Sequence, residues 1–164
     1  MAVRASLPRR LALLIATSRY SDSTLTQLRS PGHDVRELAD ALGNPLVGGF
    51  SVQTLIDAPY GVLLETIEGF CADGRVDDQL LIYLSCHGVL DERGRLYYAV
   101  TDTRRNRIAA TAIGAAWLNE RLDDSRVQHQ RDEQSVIDVA PAAALRQESC
   151  KRIFHRARDT DRCG

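Results

Sequence analysis

What this chain lacks narrows its class before any motif is considered. Its four cysteines, at positions 71, 86, 150 and 163, include no CxxC pair and are too sparse for a disulfide scaffold. Reduced thiols in a cytoplasm are therefore the expectation. No sign of charge dominates: the formal net charge is −1, without the basic excess that a broad nucleic-acid or anionic-membrane surface needs. No apolar run approaches the ~20 residues of a membrane span. The six apolar residues Leu11–Ala16 behind Arg9-Arg10 are too few for a signal-peptide core and read as a first buried strand. Internal repeats and low-complexity tracts are absent too. At 164 residues, 44% of them hydrophobic and 26% charged, the chain has the size and composition of one soluble domain with a real core.

What is there is concentrated in Leu80-Leu81-Ile82-Tyr83-Leu84-Ser85-Cys86-His87-Gly88. The apolar run is too short for a buried helix and reads as a strand covered on both faces, ending in a polar cluster. Ligands and chemistry in open α/β sheets collect at the carboxyl ends of such strands.

The remaining pattern alternates. A strand at 10–16 leads into a polar loop over 17–31. Val35, Leu38, Ala39 and Leu42 then recur at helical spacing until Gly43-Asn44-Pro45 stops them. Residues 50–56 read as a second strand. Asp57 is placed to cap a helix with Pro59 in its first turn and Val62, Leu63, Ile67 and Phe70 on one face, ended by Asp73-Gly74. After the strand at 80–86, residues 89–100 read as a hairpin turning near Arg93-Gly94. Thr111 is expected to cap a helix carrying Ile113, Ala116, Trp117 and Leu122. Strands alternating with helices imply a mostly parallel sheet with helices on both faces. From Ser125 the composition changes: eight of the last 40 residues are Lys or Arg and only seven are large apolar residues. Val136–Val139 reads as a short strand and 141–158 as a weakly amphipathic helix.

Among single residues, an isolated His87 would most often be a core histidine satisfied by a carbonyl. Its strand-end position beside Ser85, Cys86 and Gly88 shifts the balance toward proton transfer. Gly88 permits a turn and close approach of substrate, and its N–H can donate to a developing oxyanion. Cys86 and His87 are adjacent on a strand and point to opposite faces, so Cys86 reads as a small buried hydrophobe rather than as the partner of His87; the same holds for Cys71. Asp34, at the head of the first helix, is a favourable charge near a helix N-terminus even without a function. His33 and Arg29 read as solvated. Asp57 as a phosphoacceptor would need an acidic pair after the first strand to hold magnesium, where Thr17-Ser18 stand instead. The spacing of His129, Cys150, His155 and Cys163 matches no common zinc site.

Taken in order, the strand at 10–16, Ser30-Pro31-Gly32-His33-Asp34-Val35, Tyr83-Leu84-Ser85-Cys86-His87-Gly88 and the hairpin strand over 94–100 resemble the caspase-like cysteine peptidases: caspases, metacaspases and their bacterial relatives. The resemblance covers roughly residues 9–124. It implies an α/β fold, a three-layer α-β-α sandwich with a mostly parallel central sheet, incomplete beyond residue 124, and an atypical tail over 125–164. It implies that His87 is the catalytic histidine, base and acid to a cysteine thiolate, and that Gly88 supplies the oxyanion N–H. Asp34 is similar to the aspartate that lines the pocket for the residue before the cleaved bond (P1) in metacaspases, which points to basic P1 residues. Caspases carry an arginine four residues earlier, where this chain has Ser30.

The implied nucleophile is missing from its place. The family pattern sets a cysteine about 50 residues after the histidine, which falls near Ile137, in a stretch without cysteine. Cys150 lies inside the expected helix, with neither a preceding strand nor a following glycine. A reading-frame shift near 125–128 would explain both the missing cysteine and the changed composition, since Pro141-Ala142-Ala143-Ala144 is what leucine CTG codons give one base out. The functional expectation is a cysteine endopeptidase domain acting on protein or peptide substrates, inactive in this chain. A catalytically dead protein-binding module is the alternative, and a phosphate-binding α/β domain ranks third because no glycine-rich loop follows the first strand. No cofactor is expected beyond the calcium that family analogy allows. Partners are peptides rather than nucleic acid or membrane; the oligomeric state is not legible.

Overall fold

The computed structural model describes residues 7–75, 77–127 and 149–156. The fold is mixed α/β. β1 (Arg10–Ala16), β2 (Ser51–Ile56) and β3 (Gln79–Leu90) run parallel in the order β2-β1-β3, with β1 in register with β3 from Arg10↔Gln79 to Ala16↔Ser85. β4 (Leu96–Tyr98) runs antiparallel to β3, and the two-residue β5 (Ile113–Gly114) antiparallel to β4. β6 (Ser149–Arg156) lies antiparallel along β3, from Leu80↔Arg156 to His87↔Ser149.

The sheet is thus mixed, which corrects the expectation of a mostly parallel one. Antiparallel partners on both edges of β3 produce this; the hairpin turn announced β4, but nothing in the alternation of strands and helices announced β6. Ser85 O accepts from Thr17 N, and His87 O accepts from Ala99 N, each at 2.9 Å. Alternate residues of a strand face the same edge, so β4 continues along the edge that β1 leaves, and β6 lines the other.

Two apolar layers explain why β1 and β3 read as continuous hydrophobic runs. On one face Ala12, Leu14, Ala16 and Tyr83 pack against Val35, Leu38, Ala39 and Leu42 of α1 (Pro31–Gly43). On the other, Leu13, Ile15, Ile82, Leu84 and Cys86 meet Leu63, Ile67 and Cys71 of α2 (Tyr60–Ala72) and Leu118 and Leu122 of α4 (Ala115–Val127). α1 opens on Pro31, whose fixed φ suits the first turn. It stops at Asn44, held extended (φ −65°, ψ 119°) by the following Pro45. The chain then folds back so tightly that a Cβ on Gly48 would lie 2.6 Å from Leu42 O.

Three local expectations are corrected. Asp57 does not cap α2: the amide of Tyr60 is bonded by Asp102 Oδ1 at 2.8 Å, and Asp57 turns back toward β1 with φ 52°. Thr111 does not cap a helix through Ile113. It ends the single turn α3 (Ile108–Thr111), its hydroxyl held by the 104–107 backbone, while Ile113 pairs with Tyr98 and α4 starts at Ala115. Residues 149–156, expected as part of a helix, form β6; a strand is favoured there by backbone pairing along β3, which no helical spacing in the tail could reveal. Val136–Val139 lies outside the described residues. The hairpin is as expected: Gly94 (φ 75°) makes its turn, and Asp91 binds the amides of Arg93 and Arg95 and the Arg95 guanidinium. No described helix is long and apolar enough to cross a membrane.

Candidate functional site

The carboxyl ends of β1 and β2 are tied by Asp57, whose Oδ1 accepts from Ser18 N at 2.6 Å and Arg19 N at 3.0 Å while its own amide donates to Ala16 O. That clamp launches the loop over 17–30. The loop closes on itself where Gln27 Oε1 accepts from Tyr20 N and its Nε2 donates to Tyr20 O, and where Leu28 N donates to Ser18 O. Tyr20 and Leu25 are thereby buried against Val89 and Ala99. Polar in sequence, the loop is a packed cap over the end of β3.

Under this cap lies His87, 1% exposed. β3 does not stop at His87, as the sequence had implied, but continues unbroken to Leu90. His87 instead occupies the changeover at which β3 exchanges β1 for β4 on one edge. A sheet end for β1 therefore falls in mid-strand for β3. The His87 amide donates to Tyr20 Oη at 3.0 Å, and that hydroxyl donates to Thr17 O at 3.0 Å. The two rings lie 5.0 Å apart. Burial, and secondarily the neighbouring Cys86, push the Tyr20 phenol well above its ordinary value, so it stays a neutral donor.

The imidazole is oriented by one bond: Nε2 lies 2.7 Å from Thr26 O. A carbonyl can only accept, which assigns a proton to Nε2; in the neutral ring Nδ1 is then the bare nitrogen. Nδ1 is buried and has no hydrogen-bond partner among the described residues; neither has the Ser85 hydroxyl. Strand alternation puts both on the α1 side of β3. A fixed imidazole with a bare, buried nitrogen can take a proton from an acidic group brought to it.

Gly88 is extended rather than turned, since its φ is not among the positive ones. This corrects the expected turn. Alternation directs its N–H to the edge opposite β4, the one along which β6 runs, rather than into the hairpin ladder. Asp34 is half-buried in the first turn of α1, on the same side of the sheet as His87. His33 is exposed and 3.3 Å from Glu37. Cys86 and Cys71 are buried in the opposite layer, as small hydrophobes.

Cys150 stands in β6, not in a helix, and is in register with Cys86; Ser149 is the residue in register with His87. The sequence could not bring this segment to β3. It also passed over Tyr20 and Thr26. Thr26 acts through its carbonyl, which residue type never signals; the one available hint was a lone tyrosine in a polar loop. A shallow groove of about 500 Å³ between the amino ends of β1 and β2 and helix α2 is lined by Leu11, Val52, Gln53, Thr66 and Phe70 among others. It is lined by no histidine or cysteine and lies at the far end of the sheet from His87. No protein-family model matches the chain, and no curated protein matches it.

Proposed function

We propose that this chain is a caspase-like cysteine endopeptidase domain, a three-layer α-β-α sandwich, that retains the base and the oxyanion donor but not the nucleophile and therefore does not cleave peptides by itself. One observation carries the reading. The Nε2 bond to Thr26 O leaves Nδ1 of His87 as a buried acceptor beside the Gly88 N–H, while the neighbouring strand has Ser149, not a cysteine, in register with His87. A thiol donating to Nδ1 would complete a nucleophile–base pair. The protein-binding alternative is favoured by the 1% exposure of His87, which closes the imidazole off from a peptide carbonyl, as a module that does not cut requires. Asp34 is the residue assigned to recognition of a basic side chain.

The test uses peptides with Arg, Lys or Asp before a reporter group, with calcium and with a chelator. The expected result is no turnover under any condition, together with binding of the Arg and Lys peptides that Asp34→Ala weakens about tenfold, the equivalent of about 1.4 kcal/mol. Turnover that His87→Ala abolishes would overturn the inactivity. Equal binding of the Asp peptides, unaffected by Asp34→Ala, would overturn the recognition.

A further inference from the structure

β6 brings a second cysteine to the central strand. Its pairing with β3 runs over eight consecutive residues, and that register sets Cys150 directly opposite Cys86. The backbone supports a close pair. Ser85 turns its carbonyl to β1, so by alternation Cys86 turns its N–H and C=O to β6. Opposed residues of that kind in antiparallel strands have Cα atoms about 5.5 Å apart, inside the roughly 4.4–6.8 Å that a disulfide spans. Directly opposed residues also share one face of a sheet. Cys86 is 2% exposed, and among the described strands β6 pairs with β3.

We propose that Cys86 and Cys150 form a reversible cross-strand disulfide that fastens β6 to β3 beside His87. The oxidant is a low-molecular-weight disulfide such as oxidised glutathione. The Cys150 thiolate attacks one of its sulfurs, a mixed disulfide forms, and one small thiol leaves. The Cys86 thiolate then attacks the Cys150 sulfur and expels the second small thiol. Two protein thiols lose two electrons and two protons, and one small disulfide becomes two thiols. In a reducing compartment such a bond is transient, so it works as a switch rather than a staple. Oxidised, it holds Ser149 in register with His87 and closes that edge of β3. Reduced, β6 is held by its backbone pairing and is free to exchange. This role is independent of whether the chain ever cuts a peptide.

The test treats the full-length chain with oxidised glutathione, blocks remaining thiols and digests with trypsin without reductant. The expected product is the peptide of residues 76–93 joined to that of residues 147–151, less two hydrogens, from protein that elutes as a single chain. The joined peptide should vanish in Cys150→Ser and persist in Cys71→Ser. Hydrogen exchange provides a second measure: amides of Leu80–Cys86 that face β6 should slow at least tenfold on oxidation and recover with dithiothreitol. Recovery of Cys150 joined only to glutathione or to Cys163, or of the Cys86–Cys150 link only between two chains, overturns the proposal. So does unchanged exchange in protein that carries the link.

Discussion

Thr26 O and His87 Nε2 lie 2.7 Å apart although 61 residues separate them in the chain. That bond fixes the ring and decides which nitrogen carries the proton. It depends on a loop whose residues have no apolar periodicity. The loop is held by the Asp57 clamp on Ser18 and Arg19, by the reciprocal Tyr20–Gln27 bonds and by the buried Leu25.

The tautomer is directly measurable. Long-range ¹H–¹⁵N correlation on the neutral imidazole should show His87 protonated on Nε2 with an unprotonated Nδ1. The opposite tautomer would remove the basis for assigning a base to this site.

Tyr20→Phe should destabilise the protein while leaving its core volume nearly unchanged. The hydroxyl accepts from the His87 amide and donates to Thr17 O, so its loss strands two buried backbone groups at a cost of about 1–3 kcal/mol. Urea unfolding measures this. A variant as stable as the parent would show that the loop does not depend on the hydroxyl.

Asp57 separates charge from geometry. Asp57→Asn retains an acceptor for the Ser18 and Arg19 amides and tolerates a positive φ, so it should stay within about 0.5 kcal/mol of the parent. Asp57→Ala loses the acceptor and strains the backbone at φ 52°, and should cost about 1–3 kcal/mol. Equal effects of the two substitutions would argue against the clamp.

Asp78 sets an acid limit on stability. Burial alone would raise its carboxyl, but the Arg9 guanidinium and the amides of Arg75 and Arg9 outweigh it and hold the group at about 2. A carboxylate depressed from about 3.9 in the unfolded chain stabilises the fold fully above that value. The contribution falls away as the pH drops through the folded-state value. Asp78→Asn should therefore cost about 2 kcal/mol at pH 7, and the gap should shrink between about pH 4 and pH 2. Chemical denaturation across that range tests it; a gap independent of pH would assign the loss to packing instead.

The elements whose pattern is local are legible in the chain without its fold. The apolar runs of β1 and β3 follow from burial on both faces, and the 3.6-residue spacing of Val35, Leu38, Ala39 and Leu42 from a helix laid on the sheet. Pro31 and Asn44-Pro45 bound that helix, and Gly94 marks the hairpin. His87 could be singled out because polar residues interrupt an apolar strand. Its surroundings come from long-range packing. Thr26 contributes a backbone carbonyl, common to all residue types. Asp102 rather than Asp57 serves the start of α2, because a free helix amide takes whichever acceptor the fold delivers. β6 joins β3 through backbone hydrogen bonds, which leave no periodic trace in a charged tail. Only that long-range register sets Cys150 opposite Cys86 and Ser149 opposite His87.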